Sequence, residues 1–216
     1  MALHQDEKPG GMVTLRQFWI DQTEVTTKQY EQCVTEGECR PAKGGRHCNT
    51  GKGSRARHPI NCVTWHQASA YCKWAGGRLP TEAEWEKSAR GPAGRFHTWP
   101  HLALSCDQLV WAGPKLGRGC GQKSTWAVGS KPAGTSPYGA VDMLGNVWEW
   151  VDDAYDAGFY AGGGSTDPHN TDESNMGVMR GGGWGDDKAE DVNATRRFKF
   201  FRLNQSEGIG FRCAGD

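Results

Sequence analysis

The chain has 216 residues, with 25 Lys and Arg residues, 25 Asp and Glu residues and a mean hydropathy of −0.72. A net charge of zero provides no global field that would favour nucleic acid or an anionic membrane surface as a partner. No stretch contains the roughly 20 apolar residues that a membrane span requires. We therefore expect no nucleic-acid partner and no membrane span, with residues 1–12 as a flexible N-terminal segment and 13–216 as a single domain.

The composition also favours a loop-rich chain with several disulfide bonds. The sequence has 31 glycines and 10 tryptophans, which is typical of many turns around a core of large rings. Its eight cysteines are even in number, and none lies in a CxxC pair. Disulfides formed in an extracellular or periplasmic compartment are the first interpretation, and reduced buried thiols are the alternative. The N-terminal residues lack a secretory signal, so either the chain is not exported or the signal has been removed.

The first predicted elements are one strand and three short helices. Apolar and polar residues alternate through MVTLRQFWID, which predicts a strand at 12–21. Each helix begins at a threonine that has Gln or Glu three positions later, a capping box that satisfies backbone N–H groups of the first turn. Each ends at a glycine suited to a left-handed C-cap. The predicted helices span about 26–36, 64–75 and 81–90.

The second half of the chain is predicted to be irregular. From residue 92 onward, turn-forming residues are so frequent that we expect short strands joined by long loops. Residues 161–177 are predicted to form a mobile surface loop. In the second helix, the spacing of Ala68, Tyr71 and Cys72 directs Cys72 toward the core. The predicted class is α+β.

Five runs of sequence carry a resemblance to a known family: FWIDQTEVTTKQYEQCV, HPINCVTWHQASAYCKWAGGRLPTEAEWEKSARG, SPYGAVDMLGNVWEW, RGGGW and GIGFRC. They occur in the same order in the formylglycine-generating enzyme (sulfatase-modifying factor) domain family. The resemblance covers nearly the whole chain from about residue 13. It implies the C-type-lectin-like fold of the formylglycine-generating-enzyme variant, loop-rich with three short helices and short strands.

The resemblance also implies a chemistry that this sequence cannot perform in the family's way. Founding members are copper-dependent oxidases that convert a sulfatase cysteine to formylglycine with dioxygen. Their motif places two cysteines five positions apart, with a histidine after the first, shortly after a Gly-Gly-Ser-aromatic turn. Thiolates suit Cu(I) because both are soft. This chain has Gly183 at the serine position and no cysteine or histidine in 180–211, so the founding activity is not expected.

The segment in place of that motif is acidic and follows Trp184. Its four carboxylates are Asp186, Asp187, Glu190 and Asp191. Carboxylates are hard ligands for calcium or magnesium and do not replace copper-binding thiolates. One interpretation is a solvated acidic turn. The other is that Trp184 and these acids border a groove that recognises a basic or polyhydroxyl ligand.

The following run, RRFKFFRLN, combines aromatic and cationic residues. Alternation of Phe198 and Phe200 fits a strand with one buried face. The functional alternative is an exposed patch, with Arg197 and Phe201, for a protein or peptide partner. The sequence leaves both interpretations open.

The run DMLGNVWEW resembles the family's calcium site. Carried over by position, the ligands are the side chains of Asp142 and Glu149 and the carbonyl oxygens of Gly145 and Val147. Calcium would brace the loop and take no part in catalysis. The alternative is that Asn146 makes a turn and Glu149 pairs with an arginine.

The resemblance also suggests disulfide bonds. Cys72 and Cys213 match the family's link between the middle helix and the C-terminal GFRC run. For Cys106 and Cys120, which bracket a loop, we predict a second bond. The remaining cysteines, which allow three pairings, are Cys33, Cys39, Cys48 and Cys62.

Together these observations favour a non-catalytic module that binds a peptide, protein or small polar ligand around residues 184–208. It would be stapled by disulfides, braced by calcium and part of a larger multidomain protein. The first alternative is an oxidoreductase of the same family with altered chemistry, either independent of copper and iron or using non-thiol residues. The second is a purely structural spacer domain.

Overall fold

The computed structural model describes residues 4–8, 11–101, 103–113, 116–163 and 165–216. The protein has an α+β fold in which three short helices and short strands are joined by long loops, so the predicted class is confirmed. The helices are α1 (Thr27–Thr35), α2 (Trp65–Trp74) and α3 (Glu82–Arg90).

All three helices begin as the capping pattern predicts, and each ends beside the predicted glycine, although Gly91 has a ψ of −172° and does not adopt the left-handed helical conformation. In each, the threonine side chain before the first residue accepts a hydrogen bond from the backbone three residues later, at 3.1 to 3.2 Å. The residues just beyond the ends are glycines with positive φ: 82° at Gly37, 85° at Gly76 and 65° at Gly91. Local sequence therefore fixes where each helix starts and stops.

The strands form one four-stranded sheet and two pairs. The sheet has the order β6-β5-β3-β7; β5 is antiparallel to β3 and β6, and β7 is parallel to β3. The eight strands are β1 (Val13–Thr14), β2 (Trp19–Ile20), β3 (Trp148–Ala154), β4 (Ser165–Thr166), β5 (Met176–Arg180), β6 (Phe198–Phe201), β7 (Ile209–Phe211) and β8 (Ala214–Gly215).

The prediction of one strand at 12–21 is wrong. This segment contains two short strands, because its ends pair with different partners: β1 lies parallel to β4, and β2 lies antiparallel to β8. Within 161–177, β4 and the start of β5 are present, and residue 164 lies outside the described residues. Of the predicted N-terminal segment 1–12, residues 1–3 and 9–10 lie outside them too.

Large rings dominate the two apolar clusters of the core. One cluster lies between α1, α2 and the sheet, and Tyr30, Trp150 and Phe211 are fully buried there. The second packs α3 against the other face, with Trp85 and Met143 fully buried. The core is therefore built largely from aromatic rings, as the tryptophan-rich composition predicts.

All eight cysteines are paired in disulfide bonds. Cys72 is fully buried on α2, as its spacing predicts. The four bonds are Cys33–Cys39, Cys48–Cys62, Cys72–Cys213 and Cys106–Cys120. Four disulfides are typical of a protein from an oxidising compartment. Within the part of the chain that the structure describes, none of the helices has the length and apolar character needed to traverse a bilayer.

Candidate ligand-binding cleft

A cleft of about 310 Å³ opens over one face of the four-stranded sheet, at the glycine-rich turn that follows β5. All four strands of the sheet contribute to it, together with the segment 183–186 and the loop before β7. Its lining residues are Arg118, Trp148, Met179, Gly183, Trp184, Gly185, Asp186, Phe198, Phe200, Ser206, Glu207, Gly208 and Ile209.

The floor of the cleft is aromatic. Because side chains alternate along a strand, Phe198 and Phe200 lie on the same face of β6. The ring centroid of Phe198 lies 5.3 Å from that of Trp148, and the Phe200 centroid lies 6.3 Å from that of Trp150. Phe198 is 40% exposed, whereas Trp148 is 8% exposed. Phe198 therefore offers an accessible ring at the cleft.

The turn that bounds the cleft requires glycine. Gly182 has a φ of 79°, and a Cβ added there would lie 2.5 Å from a methyl carbon of Val192. The tight backbone brings Trp184 beneath the cleft, where its Nε1 donates to the carbonyl of Glu207 at 3.0 Å. The guanidinium of Arg118 lies 4.3 Å above the Trp184 ring and donates to the Glu207 carboxylate at 3.1 Å.

Asp186 provides a partly buried carboxylate in the wall of the cleft. Its Oδ2 accepts hydrogen bonds from Trp148 Nε1 at 2.8 Å and from the backbone N–H of Gly183 at 2.7 Å. Burial raises the pKa of Asp186, although these two hydrogen bonds oppose the rise. No described residue donates to its Oδ1, so this oxygen is available to a ligand donor.

The cleft includes four of the nine ligand-binding residues predicted from sequence: Trp184, Asp186, Phe198 and Phe200. The others lie outside its lining. Asp187 and Glu190 are exposed to solvent, and Asp191 accepts from Arg196 at 3.3 Å. Phe201 is 54% exposed on β6.

Arg197 has a structural environment that differs from the predicted surface patch. It is 3% exposed, and its guanidinium donates to both carboxylate oxygens of Glu82 at 2.7 and 2.9 Å. Nine of the thirteen lining residues were not predicted as ligand-binding residues, and Arg118, Trp148 and Glu207 are the ones among them with charged or aromatic side chains. The sequence offered a signal for Trp148, because it lies in the DMLGNVWEW run. No local sequence pattern predicts that Arg118 contacts Trp184.

A second cavity of about 310 Å³ lies between α3 and the N-terminal segment. Its main charged groups already have partners: Glu86 is paired with Arg90 and Arg180, and Arg197 with Glu82. We therefore assign the candidate site to the cleft on the sheet.

The predicted calcium ligands Asp142 and Glu149 are both buried beside an arginine. The guanidinium of Arg212 donates to the two carboxylate oxygens of Glu149 at 2.7 Å each, and Trp85 Nε1 donates to one of them at 2.7 Å. Asp142 Oδ2 accepts from the backbone N–H of Gly129 at 2.6 Å. Glu149 thus has the arginine partner that the alternative interpretation describes.

Glu24 adds a third buried carboxylate to this cluster. Its Oε1 accepts from Asn146 at 2.9 Å, whereas its Oε2 is buried and has no hydrogen-bond partner among the described residues. Burial and the nearby carboxylates of Asp142 and Glu149 raise the pKa of Glu24 well above its ordinary value. With all three acids ionised, Arg212 alone would not neutralise them.

The donor chemistry of the cluster fits a hard cation, because every candidate ligand is an oxygen atom. The predicted ligands Gly145 and Val147 would contribute backbone carbonyls. The geometry fits less well, since Glu149 would have to bind calcium and Arg212 together. Across 4–8, 11–101, 103–113, 116–163 and 165–216, no three His, Cys, Asp or Glu residues are arranged to hold a metal ion.

Comparisons with known proteins agree with the sequence motifs. A model of the sulfatase-modifying factor enzyme 1-like domain matches residues 1–216. The chain is 37% identical over 189 residues to the formylglycine-generating enzyme of Streptomyces coelicolor, which covers 82% of this chain and 58% of that protein. It is 33% identical over 177 residues to the inactive C-alpha-formylglycine-generating enzyme 2 of Bos taurus, covering 76% and 54%.

Another relative is a larger protein. Serine/threonine-protein kinase pkn1 of Chlamydia caviae is 32% identical over 229 residues, covering 97% of this chain and 35% of the kinase. The chain thus spans 35% to 58% of the length of these three relatives. Among solved structures, PvdO from Pseudomonas aeruginosa has a TM-score of 0.73 and 26% identity, over 91% of this chain and 79% of that one. The chain belongs to the sulfatase-modifying factor enzyme 1-like domain family.

Proposed function

We propose that this chain is a non-catalytic member of its family that binds a peptide, protein or small polar ligand in the cleft. The observation that carries the proposal is that all eight cysteines are paired in disulfides, so the cleft with the aromatic floor has no free thiol in its lining. A disulfide sulfur is not the thiolate that Cu(I) requires. The similarity to relatives named inactive supports the same function.

The polar groups of the cleft favour a ligand that donates hydrogen bonds. Asp186 Oδ1 is available there, and the Glu207 carboxylate is engaged by Arg118 at only one oxygen. Ring faces such as Phe198 bind apolar groups and the backbones of peptides, and aromatic residues are enriched at binding hot spots. A peptide offers both kinds of group at short spacing, so peptides are the first class to test.

Selection from a library of displayed random dodecapeptides tests this function. Peptides selected on the wild-type protein should bind the Phe198→Ala variant at least tenfold more weakly, because the accessible ring of the cleft is lost. Tyr138→Ala is the matched control, since Tyr138 is 54% exposed and lies outside the cleft lining. Equal losses in both variants, or none in Phe198→Ala, would contradict binding in the cleft.

The absence of the founding activity is testable separately. Oxygen consumption is measured with a sulfatase-motif peptide, a reductant and copper, with and without the protein. We expect no turnover above the protein-free rate. Formylglycine in the recovered peptide, detected by mass spectrometry, would refute the non-catalytic assignment.

One observation favours altered chemistry as a second candidate function. A carboxyl group with a raised pKa in a cleft is a common feature of acid and base catalysts, and Asp186 is such a group. Asp186→Asn would then abolish a measured turnover, whereas a role in ligand binding alone would lower affinity and leave the turnover at saturating ligand unchanged. Asp186 is not itself a redox group, so an oxidase reaction would need a further reactant.

We propose that calcium braces the loop around Asp142, as the resemblance implies. Two observations support this: the buried carboxylates outnumber Arg212, and the Oε2 atom of Glu24 has no hydrogen-bond partner among the described residues. The thermal midpoint of the wild type should be higher in excess calcium than in excess chelator. The midpoint of Asp142→Ala should be the same in both conditions. Exposed Asp107→Ala is the control and should respond like the wild type. An identical midpoint of the wild type with calcium and with chelator would exclude the brace.

The proposal also includes the cellular location of the module and its place in a larger protein. Four disulfides support an extracellular or periplasmic location. The kinase relatives, of which this chain spans about a third, support a place in a larger protein. Mass spectrometry of the native protein from a culture fractionated into cytoplasm, periplasm and medium checks both, because the intact mass gives the chain length.

A further inference from the structure

Among the described residues, no strand pairs with the outer side of β6, which is an outer strand of the sheet. It lies at the end of the order β6-β5-β3-β7, and three of its four residues are exposed. Phe198, Lys199 and Phe201 are the exposed residues, and Phe200 is partly buried. Such an edge presents backbone hydrogen-bonding groups to whatever can pair with them.

The register shows which backbone groups of β6 point outward. In an antiparallel pair, alternate residues exchange both hydrogen bonds with the neighbouring strand. Arg202 N–H donates to the Asn175 carbonyl at 2.8 Å, and β6 continues this register with Phe200 opposite Gly177. The N–H and C=O of Lys199 therefore point away from β5. The same holds for the N–H of Phe201.

Nothing in the described part of the chain bonds to these outward groups. The Phe201 carbonyl is the exception, because it accepts from the Asn204 N–H at 2.8 Å in the turn after β6. The free edge thus offers two donors and one acceptor, enough for a short added strand. It also adjoins the cleft, which Phe198 and Phe200 line.

We propose that an extended peptide with alternating acidic and apolar side chains adds to β6 as a fifth strand of the sheet. This inference rests on the proposed function and deepens it, because it specifies the conformation and the chemistry of the ligand. Main-chain hydrogen bonds to Lys199 and Phe201 would supply affinity, and alternate side chains would supply specificity.

The alternation follows from the two faces of β6. Side chains on the face of Phe198 and Phe200 reach the aromatic floor, so apolar residues of the peptide belong there. Those on the opposite face meet the exposed residues Lys199 and Phe201, and the Lys199 ammonium group lies 5.1 Å from the ring centroid of Tyr155. An acidic residue across from Lys199 is stabilising, whereas a like charge is not.

The same lysine disfavours a second copy of this chain as the occupant. An antiparallel pair of β6 strands centred on Lys199 would place the two lysine side chains opposite each other, and charged residues on edges are a known means of preventing such pairing. Charge complementarity therefore selects an acidic strand over self-association.

The test uses peptides selected from displayed random dodecapeptides on the wild-type protein. They should be enriched in alternating Asp or Glu and β-branched or aromatic residues. Lys199→Pro removes the outward N–H and should weaken binding at least tenfold. Lys199→Ala keeps the N–H and removes the charged side chain, so it should lose much less affinity. Proline is tolerated on an edge where the N–H faces solvent, and a thermal midpoint verifies that the variant folds.

Hydrogen exchange of the wild type provides a second measurement that does not depend on the proline variant. Bound peptide should slow exchange of the amides of Lys199 and Phe201 at least tenfold. Unchanged exchange there, or equal affinity of the folded proline and alanine variants, would overturn strand addition. If Phe198→Ala still weakens binding in that case, the cleft function survives alone. A library that yields no binder refutes both.

Discussion

The two outer strands of the sheet have opposite surroundings. β7 is fully buried: its three residues pack into the core, and the residues after it form the Arg212–Glu149 ion pair and the Cys72–Cys213 bond. β6 is mostly exposed and adjoins the cleft. The same sheet therefore has one edge held by covalent and buried ionic contacts and another that is open to a partner.

Under the proposed function, this difference separates stability from recognition within one small domain. Substitutions next to β7 should be costly, because they remove a cross-link or leave a buried charge without a partner. Substitutions on β6 should change binding more than folding. The following four predictions test that separation, beginning with the largest expected effect.

Removal of the Cys72–Cys213 bond should have the largest effect on stability. The cysteines are 141 positions apart, so the double variant with alanine at both should lose about 5 kcal/mol by loop entropy. The matched control removes Cys33–Cys39, with a separation of 6 and an expected loss of about 2 kcal/mol. Urea unfolding measures both. Similar losses would show that the long-range link does not dominate the stability of the β7 edge.

Arg212→Met should cost about 3 to 5 kcal/mol, because it leaves the Glu149 carboxylate buried without its partner. Arg16→Ala is the control: its pair with Asp167 is at the surface, where the Arg16 side chain is 86% exposed, so the loss should be below about 1 kcal/mol. Denaturant titration compares the two. A small loss for Arg212→Met would mean that the buried acids are protonated or otherwise neutralised.

Acidification should destabilise the folded protein through His58. Burial lowers the pKa of His58 from 6.5 to about 4 in the folded protein. The unfolded chain therefore binds the proton more readily, so this contribution to stability is complete above pH 6.5 and is lost as the pH falls toward 4. His58→Asn, which can retain the contact with Thr125, should flatten the dependence of the thermal midpoint on pH in that range. A parallel dependence in both proteins would exclude His58 as the cause.

Phe201→Ser should have the smallest effect, within about 0.5 kcal/mol, because the side chain is 54% exposed on the open edge. Phe211→Ser, on β7, is the matched comparison and should be severely destabilising, since that ring is fully buried. Thermal unfolding of the two variants measures both losses of stability. A large loss in Phe201→Ser would place β6 within the stable core and remove the contrast between the edges.

Features encoded locally were predictable from the sequence. Thr26, Thr64 and Thr81 begin the helices because each capping box is complete within four residues. The inward position of Cys72 followed from helical periodicity in the same way. The family resemblance added what local patterns cannot provide, namely the link from Cys72 to Cys213.

Features that depend on distant partners were not predictable. The strand at 12–21 divides because β4 and β8 pair with its two ends. Arg118 lies in a loop that is distant in sequence from Trp184, and no periodic pattern in the sequence predicts their contact. Arginine is usually found at the surface, yet Arg197 is buried because it forms an ion pair with Glu82 on α3. Each of these depends on chain segments that approach each other only in the folded domain.

The spacing of the disulfides has a consequence for synthesis of the chain. Three bonds join cysteines 6 or 14 positions apart, so each can close soon after its second cysteine emerges. Cys72 must wait for Cys213, 141 positions later. During that interval it is the thiol most open to exchange with Cys106 or Cys120. Production in a compartment that supplies a disulfide isomerase should therefore raise the yield of correctly paired protein more than a stronger oxidant would.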